Sequence, residues 1–215
     1  MTGLIIAVDG PAASGKGTLA SGLARHYGLP YLDTGLLYRA VGRAVEPYEH
    51  SPEFEQRAIA AALTLDGSDI EPEFLLSNRV GTMASKVAVI EAVRSALFDY
   101  QREFATQDGG AVLDGRDIGT KIAPDADVKL FIQADSKARM ERRARQFEAR
   151  GQTVDRYALY HQIEERDARD MLNPHGGFYK ADDAHLLDTT LLDIEAALRA
   201  AIAIVDGTMA SRAGS

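Results

Sequence analysis

Apolar residues come in two arrangements that alternate along most of the chain: short unbroken runs and sets spaced at helical intervals. Leu4-Ile5-Ile6-Ala7-Val8 is an unbroken run that ends at a glycine loop. Such a run suits a strand buried on both faces of a parallel sheet. Leu19, Leu23 and Tyr27 follow at i, i+4, i+8 with Ala20 and Ala24 beside them, which predicts a helix stopped by Gly28. Tyr31-Leu32 predicts a short second strand before Asp33-Thr34-Gly35. A helix from about Leu36 to Val45 follows, and Pro47 opposes its continuation. Ala111-Val112-Leu113, Asp127 to Gln133 and His185 to Asp188 predict strands three, four and five. Ile194, Ala197, Leu198, Ala201, Ile202 and Val205 line one face of a last helix, with Thr190 or Asp193 as its cap.

Strands that alternate with helices imply a parallel sheet with right-handed crossovers. Residues from about Pro52 to Phe104 break that rhythm. They hold a helix, a polar piece from Thr64 to Glu73 and a long helical stretch from Val87, and part of this reads as an insertion into the core. The tail from Gly207 to Ser215 is small and polar and is expected to fray.

Composition narrows the setting. A chain of 215 residues predicts one domain, here residues 1–206, with an insertion at about 52–104. With 46% hydrophobic and 26% charged residues, the chain is expected to be globular. No apolar run approaches the roughly 18 residues of a membrane span, and residues Met1 to Gly10 lack the pattern of a secretory signal. The cytoplasm is therefore the expected location, with no membrane partner. There is no cysteine, so thiolate chemistry and disulfides are out. The five histidines, His26, His50, His161, His175 and His185, lack the spacing of a helical metal site. A net charge of −8 argues against a nucleic-acid polymer as partner. The basic residues are nevertheless concentrated: Lys137, Arg139, Arg142, Arg143, Arg145, Arg150, Arg156, Arg166 and Arg169 fall in one stretch. Six acids share it, so a solvated, salt-laced helix pair would account for it equally well.

Gly10-Pro11-Ala12-Ala13-Ser14-Gly15-Lys16 fits the phosphate-loop pattern G-x-x-x-x-G-K. Its position, directly after the first buried strand and directly before a helix, is the one the chemistry needs. Backbone N–H groups face the phosphates, the helix N-terminus adds partial positive charge, and Lys16 brings a mobile cation. The pattern departs from the usual form at Gly17, where Ser or Thr would bind Mg²⁺; the hydroxyl comes one residue later, at Thr18. The Asp-x-x-Gly and Asn-Lys-x-Asp signatures of a GTPase are missing.

The form G-x-x-x-x-G-K-G-T in a chain of this length resembles the nucleoside monophosphate kinases. Three further stretches narrow the resemblance: Tyr31 to Arg39 (YLDTGLLYR), Leu113 to Thr120 (LDGRDIGT) and Glu165 to Asp170 (ERDARD). Their order and spacing, over roughly Leu4 to Val205, resemble the bacterial cytidylate kinases, which transfer phosphate from ATP to CMP or dCMP. The resemblance implies an α/β P-loop fold: a five-stranded parallel sheet in the order 2-3-1-4-5, helices on both faces, an acceptor-binding insertion and a short lid at about 143–156. It implies ATP on Gly10, Pro11, Ala12, Ala13, Ser14, Gly15, Lys16, Gly17 and Thr18. Arg39 and Arg116 would clamp the acceptor phosphate, and Ser85, Arg94 and Asp117 would read the cytosine edge. Arg166 and Asp170 would serve the ribose and phosphate side, and Asp33 would order the arginines. Lys16, Arg116, Arg166 and Asp114 would carry the catalytic step. Mg²⁺ would arrive with ATP, held by nucleotide and water, with Thr18 or Asp114 as the protein groups in reach.

Two departures accompany the match. Asn173 stands where the family usually has an arginine, leaving Arg169 or Lys180 as substitutes. The segment between Arg39 and Ser85 is short, which implies a trimmed acceptor region. The residues also leave room for another acceptor (UMP, shikimate, dephospho-coenzyme A) or for a regulator that binds ATP without a kinase reaction. A monomer is expected, since no long exposed apolar stripe is evident.

Overall fold

The computed structural model describes residues 3–65, 70, 75, 77–173 and 177–214. His175 and most of the polar piece from Thr64 to Glu73 lie outside them. Five parallel strands form one sheet in the order β2-β3-β1-β4-β5: β1 Leu4–Asp9, β2 Tyr31–Asp33, β3 Gly110–Gly115, β4 Val128–Gln133 and β5 His185–Asp188. This is the order the family resemblance implied. Along β1, Ile6 and Val8 pack into one core and Ala7 into the other, which is why the run has no polar positions.

One face is covered by α1 (Lys16–Tyr27) and α8 (Ile194–Ala213), which meet where Gly22 leaves space for Leu198. The other face carries α2 (Thr34–Val45), α3 (Phe54–Leu63) and α5 (Glu91–Ala105). Local chemistry sets the boundaries. Gly28, at φ 66°, closes α1, and Asp33 caps α2 by accepting from the Gly35 N–H. Past Val45 the chain enters a 3₁₀ turn, Glu46–Tyr48, around Pro47.

Two expectations need correction. The helical stretch expected from Val87 starts at Glu91, as α5; Val87 instead ends α4 (Asn78–Val87), a helix capped by Ser77 that the sequence reading leaves unassigned. The tail does not fray at Gly207. α8 starts at its Asp193 cap and continues to Ala213 because tertiary contacts hold its last turns. Met209 packs on the core, Thr208 Oγ1 lies 3.1 Å from His185 Nε2 of β5, and Arg212 pairs with Asp127.

Helices α6 (Ser136–Glu148) and α7 (Arg156–Met171) form a hairpin with its own small core of Met140, Ala144, Phe147, Leu159 and Ile163. Gly151, at φ 75°, turns the connection. This core is separate from the two that flank the sheet, so the hairpin is a unit attached at the strand ends. Phe147→Ala removes the largest apolar group of that unit and should cost it about 3 kcal/mol. Hydrogen exchange should then speed up across residues 136–171, while amides of β1, β3 and β4 keep their protection.

Candidate active site

The chain leaves the C-terminal end of β1 through a loop with left-handed residues at Gly10 (φ 148°), Ala13 (φ 58°) and Gly15 (φ 92°). A Cβ on Gly10 would stand 2.2 Å from Ile132 O, so only glycine fits there. Such a loop gathers N–H groups toward an anion, and its carbonyls then need donors elsewhere. Arg139 Nη1 donates to Ala12 O at 3.0 Å. Arg142 Nη1 and Thr189 Oγ1 each donate to Ser14 O at 3.1 Å. Arg139 is buried, donates to Ala134 O at 3.0 Å and pairs with Asp167 at 2.6 Å. The loop is thus braced from outside by α6 and by the exit of β5. Ser14 Oγ is buried without a hydrogen bond.

Over the loop the strand ends bring together Lys16, Asp33, Asp114, Arg116, Arg39, Arg166 and Asp170. Burial pulls the Lys16 ammonium well below the usual lysine range, and Arg116 and Arg166 add to it against Asp114 and Asp33. Burial pushes the Asp114 carboxyl up, and the Asp33 charge adds to it against Lys16 and Arg116. Thr34 Oγ1 donates to Asp114 O at 2.7 Å, tying α2 to β3.

The arginines form a crowded cationic group. Burial lowers Arg39 to about 10, helped by the Arg143 and Arg116 charges. Burial lowers Arg166 to about 10, with Arg116 the strongest repelling neighbour. Burial lowers Arg143 to about 10 as well, and Arg166 and Arg150 repel it. Arg116 goes the other way: burial opposes its charge most, but Asp170, with Nε at 2.9 Å from Oδ2, together with Asp167 and Asp114 outweighs it. Asp170 also faces Arg166 at 3.8 Å and accepts from Ser85 Oγ at 3.3 Å. Arg166 Nε and Asp167 Oδ1 are buried without hydrogen bonds. A group of repelling, desolvated cations at strand ends is what a polyphosphate would neutralise.

A second station adjoins the first. Arg94 on α5 pairs with Asp117, and its guanidinium lies 5.7 Å from the centre of the Tyr38 ring. Burial raises Asp117 in spite of Arg94. Arg39, at the border, donates to Leu75 O at 2.6 Å and Ser77 O at 3.2 Å, and so anchors the insertion.

Residues nominated from the sequence fall in three groups. The loop, Lys16, Asp33, Arg39, Asp114, Arg116, Arg166 and Asp170 converge, and Ser85 joins them through Asp170. Arg94 and Asp117 make the neighbouring pair. Thr18 is exposed in the first turn of α1. Asn173 donates from Nδ2 to Ala88 O at 3.0 Å, tying α7's end to the insertion. Arg169 and Lys180 are exposed: Arg169 Nε donates to Glu165 O, and Lys180 Nζ donates to Ala181 O and Ala184 O. The additional cation of the cluster is Arg143, from α6.

Gly17 has a spatial reason. A Cβ there would lie 3.2 Å from Asp114 Oδ2 and 3.5 Å from the Tyr31 hydroxyl, so a side chain at this position would press on the Asp114 carboxylate. Among the described residues no three His, Cys, Asp or Glu side chains group as a metal site. The donor set fits a divalent ion carried by a nucleotide, with Asp114 the carboxylate beside the loop.

Sequence reading missed Asp9, Arg139, Arg142, Arg143 and Thr189 as site residues. The available signals were an acid closing an apolar strand and arginines at i, i+3 and i+4 on one helix face. Arg139→Met leaves Asp167 buried without its partner and Ala12 O without its donor. It should lower stability by about 3 kcal/mol in denaturant unfolding, and Asp167→Leu in the same chain should restore most of that.

Comparison with known proteins agrees with this geometry. The sequence profile of the family described as "Cytidylate kinase" matches residues 6–206. The chain is 52% identical to the cytidylate kinase of Methylocella silvestris, over 98% of both chains. It is 51% identical to that of Xanthobacter autotrophicus, over 97% of this chain and 100% of the other. It is 49% identical to that of Bradyrhizobium diazoefficiens, over 97% and 99%. Among solved structures, an uncharacterized protein from Eubacterium ventriosum shares the fold with a TM-score of 0.54 at 16% identity, over 94% of this chain and 98% of its own.

Proposed function

The chain belongs to the cytidylate kinase family, and from that premise we propose that it moves the γ-phosphoryl group of ATP onto CMP or dCMP through the residues described above. The observation that carries the assignment of roles is the partly desolvated group of mutually repelling cations beside the phosphate loop. ATP occupies Gly10 to Thr18, with Lys16 at its terminal phosphates. Arg39 and Arg116 hold the acceptor phosphate. An oxygen of that phosphate attacks the γ-phosphorus in line, the bond from the γ-phosphorus to the β,γ-bridging oxygen breaks, and ADP leaves with the electron pair. The acceptor phosphate is already an anion, so no side chain needs to remove a proton.

Lys16, Arg116 and Arg166 stabilise the charge spread over the transferring group, and Asp33 and Asp170 hold the cations in register. Ser85, Arg94 and Asp117 read the base. Cytosine offers an N4 amino donor that a carboxylate or hydroxyl accepts, and N3 and O2 acceptors that Arg94 serves. Mg²⁺ bound with ATP supplies charge neutralisation, with Asp114 beside it. The hairpin of α6 and α7 acts as the lid, bringing Arg143 and Arg166 over the phosphates. The protein works as a monomer in the cytoplasm; among the described residues no helix is long and apolar enough to cross a membrane.

The first test is ADP release with ATP·Mg²⁺ against CMP, dCMP, UMP, AMP, GMP, shikimate and dephospho-coenzyme A. CMP and dCMP should stand out; ADP release that ignores the acceptor overturns the proposal. Asp117→Ala should damage CMP use far more than UMP use. Lys16→Met should lower kcat by a factor of about 10² or more. It should leave the melting temperature unchanged or raised, because burial and two arginines oppose the Lys16 charge in the folded chain.

A further inference from the structure

Asp9, the last residue of β1, is buried at the point where the strand enters the phosphate loop. The backbone around it is fixed on every side. Asp9 is in register with Gly115 of β3 and Phe131 of β4, and the next residue, Gly10, lies against Ile132 O. Its carboxylate does not turn into the loop. It reaches to the segment after β3, where Oδ1 accepts from the Ile118 N–H and Oδ2 from the Gly119 N–H, both at 2.8 Å. Those N–H groups open the π-type turn Ile118–Ile122, which follows Asp117 directly. Gly119 leaves the space for this: a Cβ there would lie 3.3 Å from Asp9 Oδ2 and 3.1 Å from the Lys129 chain.

We propose that Asp9 is a positioning residue for base selection: it hangs the Asp117 segment from the phosphate-loop strand, so that the group reading the acceptor base is held in the frame that seats ATP. The inference rests on the base-reading role given to Asp117 above. Folding stability does not account for the carboxylate. Burial pushes it up to about 6 against the two backbone bonds, with Asp117 adding repulsion and Lys16 opposing it. A carboxyl raised in this way loses stability as pH climbs from its ordinary range through about 6, so the charge costs the folded state at neutral pH. An acid kept at that cost, with both oxygens spent on one turn, serves the placement of that turn.

The test is Asp9→Asn, whose amide oxygen keeps one bond while its NH₂ opposes the other N–H. The ratio of kcat/KM for CMP over UMP should fall about tenfold or more, with the KM for ATP within about twofold of wild type. A merely structural residue would lower both acceptors by one factor. A ratio that stays at the wild-type value overturns the inference, whether the rates fall together or not at all. So does a loss confined to ATP. Gly119→Ala presses on the same contact from the other side and should shift the ratio in the same direction; it carries the test if Asp9→Asn does not fold. A wild-type enzyme indifferent to the base removes the base-reading role and this inference together. A selective wild type beside an equally selective Asp9→Asn removes this inference alone.

Discussion

A backbone loop that offers its N–H groups to an anion must point carbonyls the other way, and a buried carbonyl needs a donor. Much of the surrounding structure answers that demand. Arg139 serves Ala12 O, while Arg142 and Thr189 serve Ser14 O. These donors come from α6 and from the exit of β5, the strand farthest from β2 in the sheet. Arg139 carries the constraint further, because its ion pair with Asp167 fastens α7 to the same point. The hairpin of α6 and α7 and the phosphate loop therefore share one buried guanidinium.

The second feature is electrostatic. Four cations near the loop, Arg39 buried and Lys16, Arg143 and Arg166 half-buried, are held below their ordinary pKa ranges, and each is repelled by at least one other cation. Carboxylates compensate in part: Asp170 steadies Arg116, and Asp33 and Asp114 oppose the loss of charge on Lys16. The remaining repulsion is the binding energy a polyphosphate recovers. Asn173, just past the end of α7, ties that end to the insertion through Ala88 O, and α6 contributes Arg143 to the cationic group.

Much of the fold was legible because burial on two faces leaves a simple mark. Leu4 to Val8 reads as a two-sided strand, and the structure divides it between two cores. Gly28 and Asp193 read as a helix stop and a helix cap through their own backbone and side-chain chemistry. The failures came where contacts distant in sequence decide. Gly207 reads as a helix stop although Met209, Ala210, Arg212 and Ala213 are good helix formers; Met209 on the core and Arg212 on Asp127 carry the helix past it. The helix start expected at Val87 lies at Glu91, because Val87 already closes α4.

The same division holds at the site. The sequence by itself determined the phosphate loop and the strand–loop–helix setting that gives it meaning, because short-range spacing dictates both, and the resemblance of stretches spread over the chain pointed to the family. Only the tertiary structure decided that Arg139 is buried while Arg169, on the neighbouring helix of the same basic stretch, is exposed. Only it decided that Asp9, the residue after the apolar run Leu4 to Val8, holds a turn more than a hundred residues away. A local pattern records what a residue needs from its neighbours in the chain. Which buried donor meets which buried acceptor depends on how the sheet brings strand ends together, and that pairing leaves no periodic trace.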